Sequence, residues 1–283
     1  MISEQSKNYS NFIDFLKYKK FKFFHKNNLE KFFDLIKNGS IPRPHYALGL
    51  MLAAHQAREL GYKKISVIEF GCWDCDGLID LENYINDIKN FIDIEFAVYG
   101  FDLGDGHPDY DNDPRDRHYE LSKGDYPFKK KDNLKKLLMS KLILGDVKNT
   151  IINFTKNENI SDAPIGFIAL DLGLYTSTNN ALKLLDEDSQ FFLPRTIIYS
   201  DNNYFVLDNE GDRLAIKDFN LNSKKEISQI TELAEQLSMS WPKWIFLGKR
   251  MLCLSDLNHP KYNQHYDQLI NILINKKITK TIF

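Results

Sequence analysis

The chain has 283 residues, 43% of them hydrophobic and 13% aromatic, which suits one sizeable packed domain with elaborations. Its 37 basic and 39 acidic residues leave a net charge of −2, so no basic footprint points to nucleic acid. No apolar run approaches the ~20 residues that span a bilayer. The opening MISEQSKNYSNF lacks the basic-then-apolar order of a signal peptide, and Cys72, Cys75 and Cys253 are too few for a disulfide scaffold, so a cytoplasmic protein is expected.

In chain order, residues 1–40 read as helical, with Phe12, Phe15 and Leu16, then Leu29, Phe32, Phe33, Leu35 and Ile36, at helix spacing. The interleaved lysines form a solvated face. A stiff connector, Ile41–Pro44, leads to a helix over His45–Leu60 that Gly61 stops. Neither His45 nor His55 is assigned a role. Ile65–Phe70 has the pattern of a short buried strand, Gly71–Gly77 a turn and Leu78–Ile88 a helix. Glycines there let the backbone pass close to a ligand, and the helix start offers free N–H groups. A second strand, Ile94–Phe101, ends at Asp102, where such sheets hydrogen-bond a ribose hydroxyl pair.

The polar stretch Asp105–Pro127 is long enough to be a lid or substrate loop. Its Asp109, Asp111, Asp113 and Glu120 mimic calcium-loop spacing, but Pro114 stands where that loop needs glycine. His107 and His118 are the candidate bases, as the histidines nearest the pocket in sequence. Lys131–Leu142 reads as helical, LILGDV as a strand ending at Gly145-Asp146, and Val147–Asn157 as a helix. Ile165–Leu170 and Thr196–Tyr199 supply two more strands, delivering Asp171 and Asp201 at their ends, with a helix over Thr178–Asp186 between them. Beyond them we expect a hairpin over residues 204–219, an amphipathic helix over Ser223–Met239, an antiparallel edge pair within Trp244–Leu257, and a C-terminal helix over Tyr266–Ile278. Cys72 and Cys75 form a C-x-x-C that no second pair completes into a zinc set, so they read as small turn residues.

The succession VIEFG, VYGFDLGDGHP, LILGDVKNTI, GFIALDLGLYTST and RTIIYSDN resembles the class I S-adenosylmethionine-dependent methyltransferases, most closely the macrocin-type O-methyltransferase branch. RTIIYSDN is also similar to the catechol-type metal-dependent enzymes. The resemblance runs from about Ile41 to Asn258. It implies a Rossmann-like α/β fold, with a mostly parallel seven-stranded sheet, an antiparallel edge pair and an N-terminal helical extension over residues 1–44. The methyltransferase-like domain would cover residues 45–283.

It also implies roles. Glu69 and Gly71 would line the methionine end of S-adenosylmethionine, Asp102 would take the ribose hydroxyls, Asp146 would lie by the adenine, and Gly77 and Asp171 would border the cofactor. Asp171, Asp201 and Asn202 match the oxygen ligands that hold a magnesium ion in metal-dependent members. An ungapped alignment sets Ser200-Asp201 against the family's paired acids instead. The expected activity is O-methylation of a hydroxyl on a small molecule or sugar, with divalent-metal assistance and assembly into a homo-oligomer both compatible. The alternative is a catalytically degenerate protein of the same fold that binds a nucleoside ligand or partner without methyl transfer.

Three departures bear on the choice. Asp74 and Cys75 occupy the glycine turn, Gly173 replaces the second acid of the family's DLDLY pattern, and Leu174 stands where catechol-type enzymes place a lysine. An NAD-dependent Rossmann enzyme would need G-x-G-x-x-G, whereas this turn reads GCWDCDG.

Overall fold

The computed structural model describes residues 29–109, 113–117, 119–158, 160–202, 207–230 and 250–266. Strand β1 (Lys64–Phe70) is its centre, buried at every position after Lys64, as a strand covered on both faces must be. It pairs in parallel with β2 (Glu95–Asp102) and with β4 (Ile165–Leu170). β3 (Ser140–Leu144) and β5 (Phe192–Ser200) extend the parallel sheet on either side. β7 (Met251–Ser255) then runs antiparallel to β5, and β6 (Glu226–Gln229) antiparallel to β7. The order is β3-β2-β1-β4-β5-β7-β6. It is the mostly parallel seven-stranded sheet with an antiparallel edge pair that the sequence resemblance implies.

Each face carries its own core. On one side lie α1 (Leu29–Lys37), α2 (Pro44–Glu59) and α3 (Asp76–Ile88), contributing Phe32, Ile36, Tyr46, Leu50, Leu78 and Tyr84. On the other lie α5 (Val147–Asn157), α6 (Tyr175–Leu182) and α7 (Gly211–Asn222), with Ile151, Phe154, Leu182 and Phe219. Gly49 brings α2 hard against the sheet: a Cβ there would fall 2.2 Å from the Phe167 ring. α1 is packed into the first core, Phe32 lying edge-on to Tyr84 at 6.2 Å between centroids. The expected helical residues before Leu29 and the expected C-terminal helix fall outside the described residues, apart from Tyr266.

The helix expected over Lys131–Leu142 is cut short. Only α4 (Lys131–Leu134) forms, because the Glu82 carboxylate of α3 accepts the backbone N–H groups of Leu138, Met139 and Ser140 and the Ser140 hydroxyl, turning the chain into β3. Removing a carboxylate that satisfies three amides leaves them without partners. Glu82→Ala is therefore expected to lower stability by about 3 kcal/mol, read from urea denaturation midpoints.

Two further expectations are corrected. In place of a hairpin over residues 204–219, Gly211–Asn222 is helix α7. Its Ala215, Ile216 and Phe219 are buried at helical spacing, and its Asp218 accepts a hydrogen bond from Tyr175 of α6 at 2.9 Å. In place of a helix from Ser223, Glu226–Gln229 is a strand, with Ile227 bracketed by the Asn220 amide, which both donates to its carbonyl and accepts its N–H at 2.8 Å. β7 therefore pairs with β6, and residues 231–249, which hold the rest of the expected helix and the first strand of the expected edge pair, lie outside the described residues.

Candidate functional site

The strand ends that carry acids lie side by side. β2, β1, β4 and β5 are consecutive in the sheet and parallel, so Asp102, Glu69, Asp171 and Asp201 line one rim. Backbone hydrogen bonds continue beyond the strands: Gly71 donates to the Phe101 carbonyl, Asp171 to Phe70 and Asp201 to Leu170, each at 2.9 Å. Gly71 is required on two counts. Its φ is +84°, and a Cβ would lie 2.1 Å from the Asp171 carbonyl oxygen.

Glu69 is buried, and its Oε1 accepts the Tyr46 hydroxyl at 2.7 Å. Among the described residues its Oε2 has no partner. Burial, only partly offset by the Tyr46 hydrogen bond and Arg43, pushes its pKa up to about 7. A Cβ at Gly77 would stand 1.9 Å from Oε1, so a glycine in the first turn of α3 makes the room this carboxylate occupies.

The two unusual residues of the turn have structural explanations. Asp74 neither faces the rim nor solvent. It is buried, and its Oδ1 accepts the N–H groups of Lys129 and Lys130 at 2.7 and 2.8 Å, pinning the end of the polar loop to the turn. Cys75 has φ +62°, and burial pushes its thiol up to about 12. Cys72 is buried with its pKa raised in the same way, and its thiol donates weakly to the Glu69 and Phe101 carbonyls. Both are free thiols in a form that resists reaction.

Asp102 organises the neighbouring backbone. One oxygen accepts the N–H groups of Cys72 (2.9 Å) and Trp73 (2.8 Å), the other that of Gly104 (2.6 Å). A carboxylate offers about four acceptor positions, so about one is left for a ribose hydroxyl. Asp146 caps α5 by accepting the Lys148 N–H at 2.8 Å, next to Gly145, whose N–H bonds the Asp102 carbonyl. His107 pairs by backbone with Asp125 and Gly124 across the loop, and its charged neighbours are Asp125, Asp102 and Arg117. That places it on the β2 side of the rim. Burial lowers its pKa. His118 lies outside the described residues. The loop is also fastened at Asp116, which accepts the Thr176 N–H at 2.6 Å, and at the buried Arg117, which donates to the Gly173 carbonyl at 3.4 Å.

The β4–β5 side holds the remaining carboxylates. Asp171 is exposed at the rim. The surrounding protein, then Asp201, Glu69 and Asp212, hold its pKa well above the ordinary carboxylate range. Asp201 Oδ1 accepts the Tyr199 hydroxyl at 2.6 Å and an Arg250 guanidinium N–H at 2.7 Å. Ser200 is buried and donates to Asp212 at 3.2 Å, so the chain presents Asp201 and Asn202 at the rim. Gly173 has φ +73°, and a Cβ there would meet Leu121 at 2.8 Å and the Asn202 amide at 3.5 Å. The missing second acid is thus a position where a side chain meets both strain and crowding.

Asp171, Asp201 and Asn202 do not fit the magnesium ion that the resemblance implies. That ion requires near-octahedral oxygen ligation, and the Oδ1 oxygen of Asp201 is already held by the Arg250 guanidinium. Among the described residues, no group of three His, Cys, Asp or Glu side chains is placed to hold a metal. No step is routed through one.

The structure adds residues that the sequence reading passed over. Tyr46 reaches Glu69 from α2, and His45 beside it stacks on Tyr199 at 4.0 Å. Asp212, fully buried, binds the Thr178 and Ser200 hydroxyls, and burial pushes its pKa up to about 6. Arg250 arrives from far along the chain: the antiparallel β7 begins where β5 ends, and Met251 pairs with Tyr199.

No protein-family model matches the chain, and no curated protein matches it significantly. Among solved structures it is similar to the calicheamicin methyltransferase CalS11, at 18% identity over 70% of this chain and 87% of that one, with a TM-score of 0.46. It is similar to the O-methyltransferase NovP at 16% identity, over 70% and 84% of the two chains, with a TM-score of 0.47. It is also similar to the O-methyltransferase TomG from Streptomyces achromogenes, solved in complex with SAM, at 10% identity, 80% and 91% coverage and a TM-score of 0.38. At such identities and TM-scores, no reaction, ligand or substrate passes to this chain on likeness alone. The chain itself has the strand order, the reversed β7 and the acid-lined rim of a Rossmann-like fold of the class I methyltransferase type.

Proposed function

We propose that this chain is an S-adenosylmethionine-dependent methyltransferase that methylates a hydroxyl group on a small molecule or sugar. The observation that carries the reading is the gathering of Glu69, Asp102 and Asp171 around Gly71, at the ends of three adjacent parallel strands. Glu69, lodged against Gly77, would receive the cationic methionine end, Asp102 the ribose, and Asp146 the adenine edge. A bound cofactor would supply an electrophilic methyl on its sulfonium. The chain's part is to hold the acceptor oxygen in line with that methyl and to take its proton. Two described groups can accept the proton: Asp171, with its raised pKa, and His107, kept neutral by burial.

Calorimetry with S-adenosylmethionine and its demethylated product, S-adenosylhomocysteine, tests the reading. Saturable binding of both, weakened at least roughly tenfold by Asp102→Ala, is the expected result, since a lost charge-assisted hydrogen bond is worth about 1.5–3 kcal/mol. An absence of heat and of thermal shift with either compound would remove the cofactor from the reading. The glycine at position 173, where an acid was expected, favours a second reading: a nucleoside-binding protein of this fold without transfer. Binding with no methylated product across a panel of hydroxylated acceptors would select it.

A further inference from the structure

One of the carboxylates expected to bind metal, Asp201, already has a cation beside it. Arg250 directly precedes β7, and the Tyr199–Met251 pairing sets it beside the end of β5. Its Nη1 is 2.7 Å from Asp201 Oδ1 and 3.0 Å from the Tyr199 hydroxyl, which in turn donates to the same Asp201 oxygen at 2.6 Å. His45 stacks on the Tyr199 ring and fixes it from below. The Arg250 side chain is 12% exposed and that of Asp201 38%, so the guanidinium is held in protein while the carboxylate stays open to the recess.

We infer that Arg250 takes the place of the divalent ion at this rim, supplying the positive charge next to the acceptor oxygen, so that methyl transfer by this chain needs no metal. The inference rests on the methyltransferase reading above. In that reaction the acceptor hydroxyl gives its proton to a rim base while its oxygen forms a bond to the methyl carbon. The carbon–sulfur bond breaks, and its electron pair stays on sulfur, which becomes a neutral thioether. Negative charge gathers on the acceptor oxygen along the way, and a fixed guanidinium stabilises it without rearranging. Arginine is suited to the task because it stays charged at any working pH and is weakly hydrated. A divalent ion entering here would have to displace it and leave a largely buried guanidinium without its carboxylate, at a cost the protein would bear.

The test uses the full chain and manganese as the probe, followed by electron paramagnetic resonance with and without S-adenosylhomocysteine. Wild type is expected to show no saturable manganese binding below roughly 1 mM, the range of weak oxygen-ligand sites. Arg250→Met should gain affinity by roughly tenfold or more, as the carboxylates lose their counter-charge. Adding Asp201→Asn should abolish that gain, and Arg250→Lys, which keeps the charge, should exclude manganese like wild type. Saturable, Asp201-dependent manganese binding by wild type would overturn the inference, as would a folded Arg250→Met that gains none. If Arg250→Met does not fold, wild type and Arg250→Lys decide: binding by Lys as tight as by a metal site would equally overturn it. Failure of S-adenosylhomocysteine to bind, with the manganese results as expected, would remove the cofactor reading and leave the cation assignment standing.

Discussion

Gly71→Ala is expected to cost the chain about 2–5 kcal/mol and its cofactor site together. The positive φ alone costs an alanine about 1–2 kcal/mol, and overpacking adds about 1–3 kcal/mol. The atom in the way is the Asp171 backbone carbonyl oxygen, 2.1 Å from the new Cβ. A side chain could swing aside. A carbonyl tied into β4 at the point where Asp171 donates to Phe70 cannot. β1 and β4 would have to part at the rim, carrying Glu69 away from Asp171. Urea denaturation should show the loss, and calorimetry should show S-adenosylmethionine binding reduced beyond detection. Gly61→Ala serves as the control: its φ is also positive, at +79°, but nothing lies within 4 Å of its Cβ, so the strain is present without the clash. Equal losses in the two variants would show that backbone conformation, not the approach of the two strands, sets the cost.

The second large effect is on pH. The ligand-free chain is expected to lose stability as pH rises from about 4 to about 7, with Glu69 among the carboxylates responsible. Its pKa stands at about 7 in the folded chain, well above an ordinary glutamate. The sign follows from which state holds the proton more tightly. Below the unfolded value both states are protonated and nothing is lost. Between the two values only the folded state keeps the proton, so stability falls with each step of pH until the folded value is passed. A shift of this size corresponds to about 3 kcal/mol. Asp212, raised to about 6 by burial, acts in the same direction. Glu69→Gln should remove its share of the slope, so that the variant is more stable than wild type at pH 8 and close to it at pH 4.5. It should also bind S-adenosylmethionine more weakly, because the charge that the cationic methionine end would meet is gone. Denaturation midpoints across this pH range check the point, and parallel slopes in the two proteins would show that Glu69 is not the group responsible.

Strands β1, β2 and β4, with their terminal acids, were legible because each is a short apolar run closed by a carboxylate and glycine turn chemistry. That pattern is local. What failed was set by tertiary partners. RLAIKDF alternates well enough to pass for a strand, yet Ala215, Ile216 and Phe219 also share a helix face, and packing on α6 chose the helix. Ser223–Gln229 carries a helix-compatible pattern, and the Asn220 side chain with β7 draws it into the sheet. In the site, the acids could be named but not their partners. Nothing near Asp201 in sequence announces Arg250, which is 49 residues away, and nothing near Asp74 announces the backbone it holds at Lys129 and Lys130. The C-x-x-C was read correctly as turn residues, and burial of both thiols gives the reason.

The described parts of the polar loop read as a lid are tied down at several points. Gly104 meets Phe128, His107 meets Gly124 and Asp125, Asp74 holds Lys129 and Lys130, and Asp116 and Arg117 reach the start of α6 and Gly173. The conformational entropy that a swinging lid surrenders when its ligand arrives has here been surrendered during folding. A nucleoside ligand would then meet a wall already in place, with most of its affinity left undiminished by ordering. The heat-capacity change on binding should be the modest one of a preformed pocket, not that of a segment folding around its guest.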